Sequence, residues 1–190
     1  MQSTLPAAVL GLLLLGLMLF AAGCSQSRPP SPEARGSADV AAAAPPPEIR
    51  AWMDRLTVRH AYDPKTGFIV ARETVALPPL IADAPPLNVA MTRAGADRIV
   101  VAFATADRCA PCQQFKRDAL NDASVIAKLS EPRFLSTHVE VDRSPELADA
   151  YLGGKSIPMT YALRDGKVIA TLRGQRSAAD LLSWLEALPG

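Results

Sequence analysis

Arg98-Ile99-Val100-Val101-Ala102-Phe103 leads through Ala104-Thr105-Ala106-Asp107-Arg108 into Cys109-Ala110-Pro111-Cys112, and this stretch decides the fold. Ile99 to Phe103 is an unbroken apolar run, the pattern of a strand buried on both faces. Pro111 to Leu120 predicts a helix with Phe115 on its apolar face. The two cysteines therefore fall between a buried strand and a helix start. Residues at i and i+3 share a helix face, so one thiol can attack a substrate disulfide and the other can resolve it.

Outward from this stretch the pattern stays regular. Upstream, Asn88 can cap a short helix running toward Ala96. Downstream, Asp122 caps a helix to Leu129, and Phe134 to Val141 reads as a second strand. Ser144-Pro145-Glu146 opens another helix, which Gly153-Gly154 ends. Met159 to Leu163 and Val168 to Leu172 flank Asp165-Gly166, a strong hairpin signal. Ser177 caps a last amphipathic helix carrying Leu181, Leu182, Trp184, Leu185 and Leu188. With Pro111 to Leu120 and Asp122 to Leu129 taken as one helical segment, the order from residue 88 to residue 190 is α-β-α-β-α-β-β-α, an α/β domain.

Residues 48–87 form an N-terminal extension expected to pack on that domain, since a separate unit of this size would have a thin core. Glu48 to Leu56 can form a short helix, with Trp52 and Leu56 at i, i+4 spacing. Asp63-Pro64-Lys65-Thr66-Gly67 is a turn signal, and Phe68 to Val75 is strand-like. Pro78-Pro79 and Pro85-Pro86 then punctuate the chain. Residues 24–47 are rich in Ser, Pro and Ala and read as an extended linker.

Residues 1–23 are a leader whose apolar run, Leu5 to Ala22, ends in Gly23-Cys24. Small residues directly before a cysteine suit cleavage and acylation of Cys24. The leader resembles a bacterial lipoprotein signal peptide, although Ala21 replaces the usual Leu and no Lys or Arg precedes the apolar run. An uncleaved transmembrane anchor is the alternative, because the run is near the lower length limit for a span. Either way the folded part is expected outside the cytoplasm and tethered. By resemblance to bacterial sorting rules, Ser25 favours the periplasmic face of the outer membrane.

The formal net charge of the 190 residues is +1, and no basic run offers a phosphate-binding stripe. Nucleic acid is therefore not an expected partner. The chain has three cysteines, of which Cys109 and Cys112 remain free to act if Cys24 is acylated.

A thiol attacks as its thiolate, and at an ordinary pKa only about 3% is ionised at pH 7. Cys109 is placed at the predicted helix start, where unpaired N–H groups favour negative charge, so it is the candidate nucleophile. Cys112 lies inside the first turn and suits resolution, and Pro111 sits where a missing N–H costs little. A purely structural bridge is the plainer reading, but closing so short a loop constrains the unfolded chain by only about 2 kcal/mol. A zinc site is not expected, because two cysteines are too few and His60 and His138 are not at ligand spacing. No cofactor is expected beyond the redox-active Cys109–Cys112 disulfide.

Residues 88–190 resemble the thioredoxin superfamily, in particular the C-terminal domain of transmembrane disulfide reductases. The resemblance is carried by Ala106 to Cys112, Glu140-Val141-Asp142, Ser156-Ile157-Pro158-Met159 and Asp165-Gly166-Lys167. It implies a three-layer sandwich around a central mixed sheet. It also implies that Pro158 is cis beside the cysteines, with Ile157 and Pro158 forming the substrate-docking edge. Two positions depart from thioredoxin. Arg108 replaces the usual Trp before the first cysteine, and its guanidinium should favour the Cys109 thiolate while Asp107 opposes it. Phe103 falls where the family has a buried acid, and His138 falls where it has the accompanying lysine.

The leading expectation is a membrane-tethered thiol–disulfide oxidoreductase acting on protein thiols and disulfides. Ala110-Pro111 resembles the Gly-Pro of thioredoxin, which favours reduction and requires a membrane electron donor. The alternatives are a non-catalytic binding lipoprotein on the same fold and a metal-delivery protein using the two thiolates.

Overall fold

The computed structural model describes residues 44–154 and 156–190. The leader, Cys24 and the linker up to residue 43 lie outside the described residues. Among the described residues, no helix is long and apolar enough to cross a membrane.

The elements are α1 (Pro47–Met53), β1 (His60–Asp63), β2 (Phe68–Ala71), α2 (Pro79–Ala82), α3 (Leu87–Ala94) and β3 (Ile99–Thr105). They continue with α4 (Ala110–Phe115), which runs on as a π-helical turn (Lys116–Leu120), then α5 (Ala123–Leu129) and β4 (Phe134–Glu140). The chain closes with α6 (Pro145–Tyr151), β5 (Met159–Arg164), β6 (Lys167–Arg173) and α7 (Ala178–Glu186).

β3 is buried along its whole length because it is central: the sheet order is β4-β3-β5-β6. It runs parallel to β4, from Ile99 opposite Phe134 to Thr105 opposite Glu140, and antiparallel to β5. The mixed sheet is sandwiched between two helical layers. Alternate residues Ile99, Val101 and Phe103 meet Phe115, Leu120, Leu129, Leu181 and Leu185 on one face. Val100, Ala102 and Ala104 meet Leu87, Ala90 and Ala148 on the other. This is the thioredoxin-like three-layer arrangement.

Local chemistry fixes several joints. The Asp122 carboxylate accepts from Ser124 N and Val125 N at 2.9 and 3.1 Å, and Ser177 forms a reciprocal capping box with Asp180. Asp165 and Gly166 both have positive φ, 50° and 69°, which lets two residues close the β5–β6 hairpin.

Several boundaries differ from the sequence reading. α3 starts at Leu87 with Pro86, not Asn88, at its cap. β3 continues past Phe103 to Thr105, and Arg98 stays outside it, donating to Phe134 O at 2.5 Å. Ser144 occupies the cap of α6 without a side-chain bond. α1 stops at Met53, so Leu56 is buried from the loop while Trp52 stays largely exposed.

The extension holds a strand the sequence did not reveal. β1 pairs antiparallel with β2, His60 opposite Ala71 and Asp63 opposite Phe68, and the predicted turn joins them. All four β1 residues are half-buried, so no alternation marked the strand. The Phe68 strand ends at Ala71 rather than Val75. The extension packs through Leu56, Val58 and Ile69 against Ala110, inside the cysteine tetrapeptide itself.

Candidate active site

Cys109 and Cys112 are joined as a disulfide, with their Cα atoms 5.2 Å apart. Cys109 is the cap residue of α4, in extended backbone geometry, and its Sγ accepts from Cys112 N at 3.2 Å. A donor aimed at that sulfur favours the thiolate once the bond is reduced. Cys109 is half-buried while Cys112 is wholly buried. The two sulfurs therefore differ in access.

The Ile157–Pro158 peptide is cis. Ile157, Ser156, Arg108, Cys109 and Pro111 line a single cavity of about 330 Å³. Of the candidate residues, Pro158 is buried and leads directly into β5. Cys24 lies outside the described residues.

Arg108 is held by a carboxylate. Its Nε and Nη2 donate to Asp142 at 2.7 and 2.9 Å, and its guanidinium lies 5.8 Å from the centre of the Phe68 ring. The bond to Asp142 raises the guanidinium pKa. Asp142 thus offsets the Arg108 charge that Cys109 would feel. Asp107 is matched in turn by Lys116 Nζ at 3.4 Å and by Arg143.

Beneath α4, Phe103 and His138 are register partners on adjacent strands. The Phe103 side chain is fully buried and packs against Phe115. His138 Nε2 bonds Thr105 Oγ1 at 2.7 Å. Burial and the positive charge of Lys116 depress the His138 pKa to about 4, so the ring is neutral near pH 7. It cannot serve as the cation there. A buried cation near it comes from the helix: the Lys116 side chain is only 3% exposed and reaches Asp107.

A carboxyl is present on this face as well. Glu140 is buried opposite Thr105, and its Oε1 accepts from Asp142 N at 3.4 Å. Burial and the neighbouring Asp107 push its pKa up. Sequence reasoning missed both Lys116 and Glu140. The available signal was strand parity, since Phe134, Ser136, His138 and Glu140 share one face of β4.

Gln113 and Gln114 were missed too. Both are buried directly after the second cysteine. The Gln114 Oε1 accepts from Thr57 N and Val58 N at 2.7 and 3.0 Å, and the Gln113 Oε1 accepts from Val75 N at 2.7 Å. Ala71 N donates to Arg108 O at 2.8 Å, and Val70 bridges to Cys109. The extension is stitched to the reactive tetrapeptide and its helix.

The chain matches the family model described as a thioredoxin-like domain over residues 87–189. No curated protein matches it. Among solved structures it is similar to a thioredoxin from Thermus thermophilus, at 30% identity and a TM-score of 0.46, covering 53% of this chain and 82% of that one. It is also similar to Fasciola hepatica thioredoxin, at 23% identity and a TM-score of 0.43, covering 53% and 88%. A third is the thioredoxin of Malassezia sympodialis, at 22% identity and a TM-score of 0.41, covering 53% and 86%.

Proposed function

The chain belongs to the family of thioredoxin-like domains, and we propose on that premise that it is a thiol–disulfide oxidoreductase in which Cys109 attacks and Cys112 resolves. The observation that supports this division of labour is the unequal access of the two sulfurs: Cys109 lines an open cavity and Cys112 is wholly buried.

The electron flow balances as follows. In the reduced protein the Cys109 thiolate attacks one sulfur of a substrate disulfide, forming a mixed disulfide and expelling the other sulfur as a thiolate. Cys112 loses its proton and attacks the Cys109 sulfur, expelling the second substrate thiolate. Two electrons have passed to the substrate, and the Cys109–Cys112 disulfide remains. Regeneration takes two electrons from a dithiol donor, which we place at the membrane.

The Cys112 proton has a different destination from the one the family resemblance implies, because Phe103 carries no carboxyl. Glu140 is a buried carboxyl on the α4 face of the sheet whose pKa is raised by burial and by Asp107. The Ile157–Pro158 edge is the docking rim for the substrate backbone, beside Cys109 in the same cavity. The wider proposal places the protein outside the cytoplasm, lipid-anchored through Cys24 at a bacterial membrane, with residues 24–47 as its tether and residues 48–87 as an extension to the domain at 88–190.

The test is reductant-driven cleavage of a protein disulfide by the full chain, followed as thiol release. The expected result is turnover by the wild type and none by Cys109→Ser. Full activity in that variant would end the proposal. The pair's reduction potential gives direction: about −270 mV marks a reductase and about −120 mV an oxidase.

A further inference from the structure

The extension adds a wall to the cavity at Cys109. The family match starts at residue 87, yet Ile49, Trp52, Phe68 and Ile69 line this cavity opposite Cys109 and Ile157. Ala110 is wholly covered by Leu56, Val58 and Ile69, and the Val70 bridge to Cys109 fixes the hairpin beside the sulfur. The open side of the cavity carries two large apolar side chains, Phe68 at 57% and Trp52 at 38% exposure. Among the described residues its one cation, Arg108, is already matched by Asp142 through two hydrogen bonds. A volume of about 330 Å³ is at the small end of ligand pockets, which run roughly 300–1,000 Å³.

Resting on the thiol-exchange reading above, we propose that this groove is a specificity subsite for protein substrates, and that it takes a bulky apolar or aromatic side chain next to the substrate cysteine. Continuity decides the occupant. The attacking sulfur forms part of the groove wall, so a group filling the groove belongs to the same segment that presents its disulfide to Cys109. The size accommodates one bulky side chain. Among the described lining residues, the matched charge at Arg108 leaves no cation to recruit an acidic neighbour, while the exposed rings of Phe68 and Trp52 lose water contact when an apolar group covers them. The extension thereby narrows substrate choice on a fold whose chemistry is general.

The experiment compares two symmetric disulfide dimers of a short peptide, one with Phe and one with Ser before its cysteine. Each is reduced by prereduced full chain, and the ratio of the two rates is the readout. The wild type is expected to favour the Phe dimer by about tenfold or more, the lower end of what apolar pockets discriminate. Phe68→Ala and Trp52→Ala should each cut that ratio several-fold, and Phe68→Tyr should restore it. Both sites are substantially exposed, so the variants should fold, and a ratio is insensitive to the amount of active protein. Equal rates for the two dimers in the wild type, or an unchanged ratio in Phe68→Ala and Trp52→Ala, would overturn the subsite and leave the exchange chemistry standing. Failure of the wild type to reduce either dimer or hydroxyethyl disulfide would remove the exchange reading, and the subsite with it. A self-association that Trp52→Ala abolishes, without peptide preference, would assign the groove to a second copy and overturn the proposal.

Discussion

Replacing His138 by Gln should remove a large part of the protein's sensitivity to acid. An unfolded histidine takes a proton near pH 6.5, whereas the folded His138 resists until about pH 4. Between those values the unfolded chain binds more protons, so stability falls as pH drops. The two affinities set the size of the effect: about 1 kcal/mol is lost by pH 5.5 and about 3 kcal/mol by pH 4. The groups facing the ring are Lys116 from the helix, Asp107 from the loop, Thr105 from β3 and Arg143 beyond β4. Lys116 and Arg143 lower its pKa, and Asp107 opposes them less strongly than Lys116 acts. Gln can keep a hydrogen bond to Thr105 and does not titrate. The assay is urea unfolding from pH 7 to pH 4 in both proteins, with the difference between the curves taken as the contribution of His138. Glu140 has a raised pKa, acts in the opposite sense and is present in both proteins. A difference that stays flat over this range would refute a buried, neutral His138.

Two further outcomes test the extension and the tether. Gln114→Ala leaves Thr57 N and Val58 N without their acceptor, so unfolding should cost about 1–3 kcal/mol less, with faster proteolysis near Thr57; calorimetry and limited digestion read both effects. Cys24→Ser should move the protein from the membrane fraction of its host to the soluble fraction and abolish fatty-acid labelling, and retention with label would reject acylation at Cys24.

The central domain was legible because its signals are local and strong. The apolar run at Ile99 to Phe103 lies in the central strand. Asp165-Gly166 closes a hairpin, and Ser177 makes the capping box that opens the last helix. The extension was harder to read because tertiary contacts define it. β1 has neither alternation nor a fully buried residue, and it exists by pairing with β2. Gln113 and Gln114 look like ordinary helix residues in sequence, and only folding shows them holding Thr57, Val58 and Val75. The charge around Cys109 was misjudged for the same reason. Arg108 is adjacent to the cysteine in sequence, but Asp142, remote in sequence, takes its guanidinium. His138 falls where the resemblance puts a lysine, but its burial and the nearby Lys116 keep its ring neutral near pH 7.

The central claim is that Cys109 forms the bond to substrate and Cys112 breaks it. The direct measurement is capture of that intermediate. Reduced Cys112→Ser protein is mixed with a peptide disulfide, quenched with acid and mapped by mass spectrometry. A peptide joined to Cys109 through a disulfide is predicted to persist, while the wild type carries none and Cys109→Ser forms none. Peptide found on Cys112 of Cys109→Ser at a comparable rate would contradict the account.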